Sequence, residues 1–252
     1  MAKTDTKREG KAKAAPDSPT PDKSRRGIVI AIDGPAGSGK STLAALLARA
    51  YGYTNIETGA MYRALALKAM ETNVAFDNSA ALAELARRSR IELEAREEGN
   101  RVVLDGRDVT ERIRRQDVTE AASRVSVHPP VREWMVLRQQ EMGSGGGIVM
   151  EGRDIGTKVF PDAEVKIFLD AAPEVRGSRR FLQHPAATAP EAAVLAEMRE
   201  RDKRDRSRAN SPLEPAPDAI TIDSTDLTLE EVVARAREIV DARLASRSNG
   251  RR

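Results

Sequence analysis

Eight consecutive residues, Gly34-Pro35-Ala36-Gly37-Ser38-Gly39-Lys40-Ser41, constrain this chain more than any others. They follow the pattern of a glycine, four variable residues, then Gly-Lys-Ser. An apolar run at 28–33 (IVIAID) precedes them, and an alanine- and leucine-rich stretch at 40–50 (KSTLAALLARA) follows. A buried strand that feeds a glycine-rich turn at the start of a helix lets successive backbone N–H groups converge on phosphate oxygens without side-chain clashes. Lys40 adds a point charge for the terminal phosphates, Ser41 a hydroxyl for Mg2+, and the helix N-terminus a favourable dipole. A Gly-rich turn alone is a common structural element, but the strand-turn-helix context predicts a site for a nucleoside triphosphate with Mg2+.

Further apolar runs at 148–150 (IVM), 165–169 (VKIFL) and 219–222 (AITI), with a short strand candidate at Thr54 to Glu57, alternate with helical stretches. This alternation predicts an α/β fold with a parallel sheet covered by helices on both faces. One region breaks the rhythm. From 91 to 109, apolar and polar residues alternate around turns at Glu98-Gly99-Asn100 and Asp105-Gly106, as in an antiparallel meander. Helical stretches at 79–90 and 117–142, the latter interrupted by Pro129 and Pro130, flank it, so 73–142 reads as an insertion outside the main sheet. GSGGG at 143–147 reads as a flexible return loop. Thr228 and Glu231 form a capping box for a last helix whose apolar face is Leu229, Val232, Val233, Ala236, Ile239 and Val240.

Several function classes drop out. The chain of 252 residues has no cysteine and two histidines, which excludes thiolate chemistry and a histidine-built zinc site. No apolar run reaches the roughly 18 residues of a membrane span. The Asn-Lys-x-Asp guanine motif is missing, and the chain is short for a motor or transporter ATPase. A small-molecule kinase with an anionic acceptor remains, and its arginines fall in three places. Thr58 and Arg63 begin a helix after the 54–57 strand, where Thr58 is equally a helix cap or a phosphate ligand, and Arg63 equally a surface charge or an anion contact. Glu151-Gly152-Arg153-Asp154 leaves the 148–150 strand at the sheet edge where α/β proteins bind ligands. On the helix at 197–208, Glu197 with Arg201, Glu200 with Arg204 and Asp202 with Arg206 could pair at i,i+4 as a solvated face. Arg201, Asp205 and Arg208, at i, i+4 and i+7, could instead point into a site under a mobile cover.

The phosphate loop, Thr58 to Arg63, Ala122-Ser123, Pro129 to Glu133, Glu151 to Ala163 (EGRDIGTKVFPDA) with VKIFLDA beyond it, and Arg199 to Arg208 together resemble the bacterial cytidylate kinases, over about 28–245. The resemblance implies a P-loop kinase fold: a five-stranded parallel core, an inserted antiparallel-sheet and helix subdomain for the monophosphate, and a short helical lid. It implies transfer of the ATP γ-phosphoryl group to CMP and dCMP, with Mg2+ at Ser41, and a monomeric cytoplasmic enzyme. Gly34, Pro35, Ala36, Gly37, Ser38, Gly39, Lys40, Ser41 and Thr42 would hold ATP. Thr58, Arg63, Arg153, Arg201 and Arg208 would surround the CMP phosphate and ribose, with Asp205 accepting from ribose hydroxyls, and Ser123, Arg132 and Asp154 would read cytosine. Lys40, Arg153, Arg201 and Arg208 would act in catalysis. The implied division is core at 28–72, 143–176 and 211–246, insertion at 73–142 and lid at 177–210. Thr58 stands where the family often has Ser, and Glu151 where it often has Asp. Gln183 to Glu191 is a short lid tip, and the first 27 residues have no counterpart in the family.

Charge placement bears on the rival reading, a nucleic-acid-binding module. Residues 1–27 carry eight basic and four acidic residues and almost no large apolar side chain, so they are expected to be disordered. They hold +4 and the flexible tail expected at 247–252 holds +3, so 28–246 is net −4 within a total of +3. With eight aromatic residues and arginines interleaved with acids, nucleic acid is not the expected partner. His128, His184 and Trp134 read as structural: the histidines at the surface, the tryptophan in the core.

Overall fold

The computed structural model describes residues 27–96, 99–183, 190–208 and 210–249. The N-terminal extension expected to be disordered, the turn residue Glu98, His184 with most of the lid tip, and the last three residues of the tail lie outside the described residues.

Five parallel strands form the main sheet in the order β2 (Thr54–Glu57), β6 (Ile148–Gly152), β1 (Val29–Asp33), β7 (Val165–Asp170) and β8 (Ile220–Asp223). The central strand β1 pairs on both sides, Ile30 opposite Val149 and Val165. Its side chains serve two cores by simple alternation. Ile30 and Ile32 join Leu43 and Leu47 of α1 (Lys40–Tyr51) and Val232, Ala236 and Val240 of α8 (Leu229–Asn249). Val29 and Ala31 face the opposite side with Ile56, Met150 and Ile155. This is why the strand reads as an unbroken apolar run, and it satisfies the expectation of a doubly covered parallel sheet.

A separate three-stranded antiparallel sheet runs β3 (Ile91–Arg96), β4 (Gly99–Leu104), β5 (Arg107–Asp108), with Ile91 opposite Leu104. Asp105 and Gly106, both at positive φ (50° and 83°), make the tight two-residue turn that closes β4 onto β5. The sheet shares a third core with α2 (Thr58–Glu71), α3 (Ser79–Arg87), α4 (Gln116–Val125) and α5 (Pro129–Gly143), centred on Leu65, Leu82, Leu104 and Met135. The two prolines open α5, where a missing N–H costs nothing. Two helices, α6 (Pro173–Gln183) and α7 (Glu191–Arg206), pack together over the phosphate loop.

Four expectations need correction. Thr58 is not a side-chain cap: α2 starts at Thr58 itself, and its hydroxyl donates to the Glu151 carbonyl at 2.8 Å. His128 is half-buried, not a surface residue, with Nε2 2.7 Å from the Phe76 carbonyl. The chain does not leave the fold at 247, because α8 continues through Asn249 and Arg247 pairs with Glu164 at 2.9 Å. On α7, none of the three expected i,i+4 pairs forms an ion pair among the described residues. Glu197 accepts from Gln116 (2.6 Å), Asp202 pairs with Arg176 (2.6 Å), and Arg206 pairs with Asp170 (3.6 Å), so tertiary partners displace intrahelical ones that are individually weak. Trp134 is half-buried against the third core with Arg138 over its ring. The capping box forms as expected: Thr228 N donates to Glu231 Oε2 (2.8 Å) and Glu231 N to Thr228 Oγ1 (3.2 Å).

Candidate active site

The carboxyl ends of β1, β2 and β6 meet a cavity of about 1310 Å³ that reaches from the phosphate loop to α4 and α7. Its floor depends on glycine. At Gly34 (φ +150°) a Cβ would lie 2.0 Å from the Leu169 carbonyl oxygen, and at Gly37 (φ +75°) it would meet Met198 and the Arg176 backbone within 3 Å. At these two positions the backbone therefore approaches its neighbours more closely than any side chain allows. Arg176 of α6 holds this loop: its guanidinium donates to Ala36 O (3.0 Å) and Ala171 O (2.8 Å) and pairs with Asp202.

Lys40 Nζ lies inside the loop and donates to Pro35 O at 2.6 Å and Ser38 Oγ at 3.4 Å. Burial, with Arg153 and Arg201 nearby, pulls its ammonium down to about 7 against the attraction of Glu151 and Asp33. Ser41 Oγ donates to Glu151 Oε1 at 2.8 Å, and burial raises the Glu151 carboxyl above its ordinary range. A hydroxyl beside a carboxylate is a hard-oxygen donor set that suits Mg2+, an ion that keeps several waters and takes its remaining ligands from phosphate. No group of three or more acidic or imidazole side chains that could hold a metal occurs among the described residues.

The opposite wall is arginine-rich. Arg201 is half-buried, with its Nε out of reach of solvent, and its guanidinium is pulled down to about 10, by desolvation first and then by Arg153, with Arg63 and Arg180 adding to it and Asp205 opposing. Arg180 is likewise lowered by burial and by Arg63. Four guanidiniums therefore share one cleft. The acids available to them are few: Glu57 pairs with Arg63, and Asp205 accepts from Arg153 Nε (3.1 Å) and Arg208. Burial alone would raise the Asp205 carboxyl, but Arg153, Arg208 and Arg201 hold it below its ordinary range. Half-buried guanidiniums that outnumber the carboxylates paired with them form a receptor for phosphate.

Beyond Asp205 lies a smaller polar pocket. Asp154 accepts from Arg132 Nη2 at 2.6 Å, Arg132 Nη1 donates to Ser126 O (3.1 Å), and Arg208 Nη2 donates to Ser126 Oγ (3.0 Å). The Tyr62 ring lies 5.6 Å from the Arg132 guanidinium carbon. Ser123 is buried on α4 with an unpartnered hydroxyl, while Ser126, one turn later, lines the cavity.

The structure thus brings Lys40, Ser41, Thr42, Thr58, Arg63, Arg132, Arg153, Asp154, Arg201, Asp205 and Arg208 to one cavity. Within the loop, Ala36, Gly37 and Gly39 line it, whereas Gly34, Pro35 and Ser38 shape the turn from behind. Sequence reasoning missed Asp33, Ser126, Arg176 and Arg180. Asp33 is buried at the end of β1 and accepts from Ile155 N (2.8 Å) and Gly156 N (2.7 Å); burial lifts its carboxyl to about 7 against those two hydrogen bonds. The arginine-dense run from Arg176 to Arg180 was the only available signal for the last two.

Comparison with known proteins gives this geometry its family. The family model for cytidylate kinase matches residues 30–242. The chain belongs to the cytidylate kinase family. It is 46% identical over 228 residues to a cytidylate kinase of Geobacter sp. (strain M21), an alignment that covers 89% of this chain and 97% of that protein. It is 49% identical over 222 residues to a cytidylate kinase of Geobacillus sp. (strain WCH70), covering 87% and 99%. A third cytidylate kinase, from Pasteurella multocida (strain Pm70), is 44% identical over 219 residues, covering 86% and 96%. The family match leaves out the N-terminal extension and takes in the sheet, the insertion and α7, so every wall of the cavity lies within the shared region. No described helix is long and apolar enough to cross a membrane.

Proposed function

We propose that this chain transfers the γ-phosphoryl group of ATP to CMP, and to dCMP, giving ADP and CDP or dCDP. The observation that carries this reading is the single cavity with two chemically distinct ends: a glycine-built phosphate loop with Lys40, and an arginine cluster leading to the Asp154–Arg132 pocket. In it, residues 34–42 hold ATP, and Ser41 with Glu151 orients the Mg2+ that, when bound, offsets phosphate charge. Thr58, Arg63, Arg153, Arg201 and Arg208 surround the acceptor phosphate, and Asp205 faces its ribose.

The reaction requires little covalent chemistry from the protein. A phosphate oxygen of CMP forms a bond to the γ-phosphorus as the bond to the β-bridging oxygen breaks, with the three atoms in line. The attacking oxygen is already anionic at neutral pH, so no strong base is needed, and positioning and charge neutralisation supply most of the rate. Lys40, Arg153, Arg201 and Arg208 stabilise the charge that spreads over the transferring group. The packing of α6 and α7 over the loop excludes water, the competing acceptor.

Base choice rests on Asp154. Arg132 takes its Oδ2, which leaves the other oxygen to accept from the exocyclic amine of cytosine. Uracil presents a carbonyl at that position, and an unmatched acceptor pair costs about 1–3 kcal/mol. An ADP-release assay across CMP, dCMP, UMP, AMP and GMP tests the reading. CMP and dCMP should lead, and Asp154→Ala should narrow the CMP to UMP ratio of kcat/KM. Equal turnover of all five acceptors by the unmodified protein would refute it.

A further inference from the structure

Asp33 does not line the cavity, yet it is a buried acid at the end of the central strand, 4% exposed. A valine would serve β1 equally well as a core residue. What the carboxylate does is visible in its partners: Oδ1 accepts from Ile155 N and Oδ2 from Gly156 N, at 2.8 and 2.7 Å, across 122 residues of sequence. Those amides open the π-helical turn Ile155–Val159, and the residue immediately before them is Asp154.

The segment carrying Arg153 and Asp154 is therefore held at both ends, and the Asp154 carbonyl also accepts from Lys158 N (2.9 Å) and Val159 N (3.2 Å) within the turn. At one end it continues from Gly152, the last residue of β6 and itself paired with Asp33 in the sheet. At the other end the two oxygens of Asp33 grip consecutive peptide N–H groups, which fixes both the position and the tilt of the peptide that follows Asp154. Arg132 holds the Asp154 side chain, but its guanidinium sits on a long stem from a different helix and cannot set the backbone. Recognition groups must be held within about 0.5 Å to discriminate. We propose that Asp33 is a positioning residue for acceptor specificity: by clamping the Ile155 and Gly156 amides it aims Asp154 at the base, so the strand that leads into the donor loop also sets the register of the acceptor pocket. This inference rests on the proposed CMP reading.

Two substitutions disturb the clamp from opposite sides. Asp33→Asn keeps the shape of the side chain but offers one acceptor where two amides need one each. Gly156→Ala keeps Asp33 and places a Cβ 3.2 Å from the Lys166 side chain, tighter than ordinary contact, and 3.4 Å from Asp33 Oδ2, so either the Lys166 stem or the turn itself must give by a few tenths of an ångström. Steady-state kinetics with CMP and UMP are read for both variants and for the unmodified protein, with the KM for ATP measured alongside. Each variant should lower the CMP to UMP ratio of kcat/KM by about tenfold, and the KM for ATP should stay unchanged in Gly156→Ala, which keeps the Asp33 charge beside Lys40. An equal loss on CMP and UMP, leaving the ratio intact, would make Asp33 a merely structural acid and overturn the inference. If Asp33→Asn does not fold, Gly156→Ala is read together with amide hydrogen exchange at Ile155 and Gly156: an unchanged ratio despite faster exchange at those two amides has the same meaning. An unmodified protein that prefers CMP, with Asp154→Ala abolishing the preference, isolates the result to Asp33; an unmodified protein without that preference removes both readings together.

Discussion

Ser41 Oγ donates to Glu151 Oε1 at 2.8 Å, joining the end of the phosphate loop to the end of β6 across 110 residues. If this pair orients Mg2+, its charge should matter more than its hydrogen bond. Glu151→Gln, which keeps an oxygen for Ser41 and removes the charge, should raise the Mg2+ concentration for half-maximal activity by about 10–100-fold. A Mg2+ titration at saturating ATP checks this; an unshifted curve would place the ion elsewhere.

Lys40 titrates at about 7 in the nucleotide-free protein, held down by burial and by Arg153, so above that pH much of it is neutral. The phosphates of ATP favour the ammonium, and binding at pH 8 should therefore take up protons, approaching one per ATP. At pH 6 the group is already charged and uptake should vanish. Calorimetry in buffers of different ionisation enthalpy measures the number directly, and Lys40→Ala should abolish it. The same variant should lose about 10²–10³-fold in kcat while retaining its circular dichroism.

The arginine cluster predicts a separation of stability from activity. Arg201→Met removes a half-buried cation that faces Arg153, Arg63 and Arg180, and leaves Asp205 its bonds to Arg153 and Arg208. Removing one of several crowded like charges relieves their mutual repulsion, and an apolar side chain of similar volume keeps the packing. The Tm of the free variant should hold or rise, while kcat falls by about 10²–10³-fold. A lower Tm with kcat preserved would make Arg201 structural.

Leu47 is fully buried between α1, α8 and the sheet, where it supports the helix that opens at Lys40. Leu47→Ala should cost about 2–5 kcal/mol in urea unfolding with m unchanged. The KM for ATP in the folded fraction should change little.

How much of this was legible in the sequence follows from how local each signal is. The five strands, the loop and the Thr228–Glu231 capping box are local patterns, and each formed where its residues stand. The meander was equally legible, since Asp105-Gly106 encodes its own turn. Arg201, Asp205 and Arg208 could be placed on one side from helical spacing, but their partners could not. Asp202 is drawn to Arg176 and Glu197 to Gln116, contacts that span 26 and 81 residues and outweigh exposed neighbours one turn away. Asp33 was invisible for the same reason: in an apolar run it reads as the end of a strand, and its two amide partners lie 122 and 123 residues on.

The cleft shared by Arg63, Arg153, Arg180 and Arg201 has a last consequence for how robust this protein looks on the bench. Guanidiniums crowded together with few carboxylates among them are a load that the fold carries until a polyanion arrives. Each bound nucleotide both relieves that load and adds its own binding free energy, about 2.7 kcal/mol when present at 100 times its Kd. Melting in plain buffer therefore measures the molecule at its weakest, and its durability at work is a property shared with its substrates.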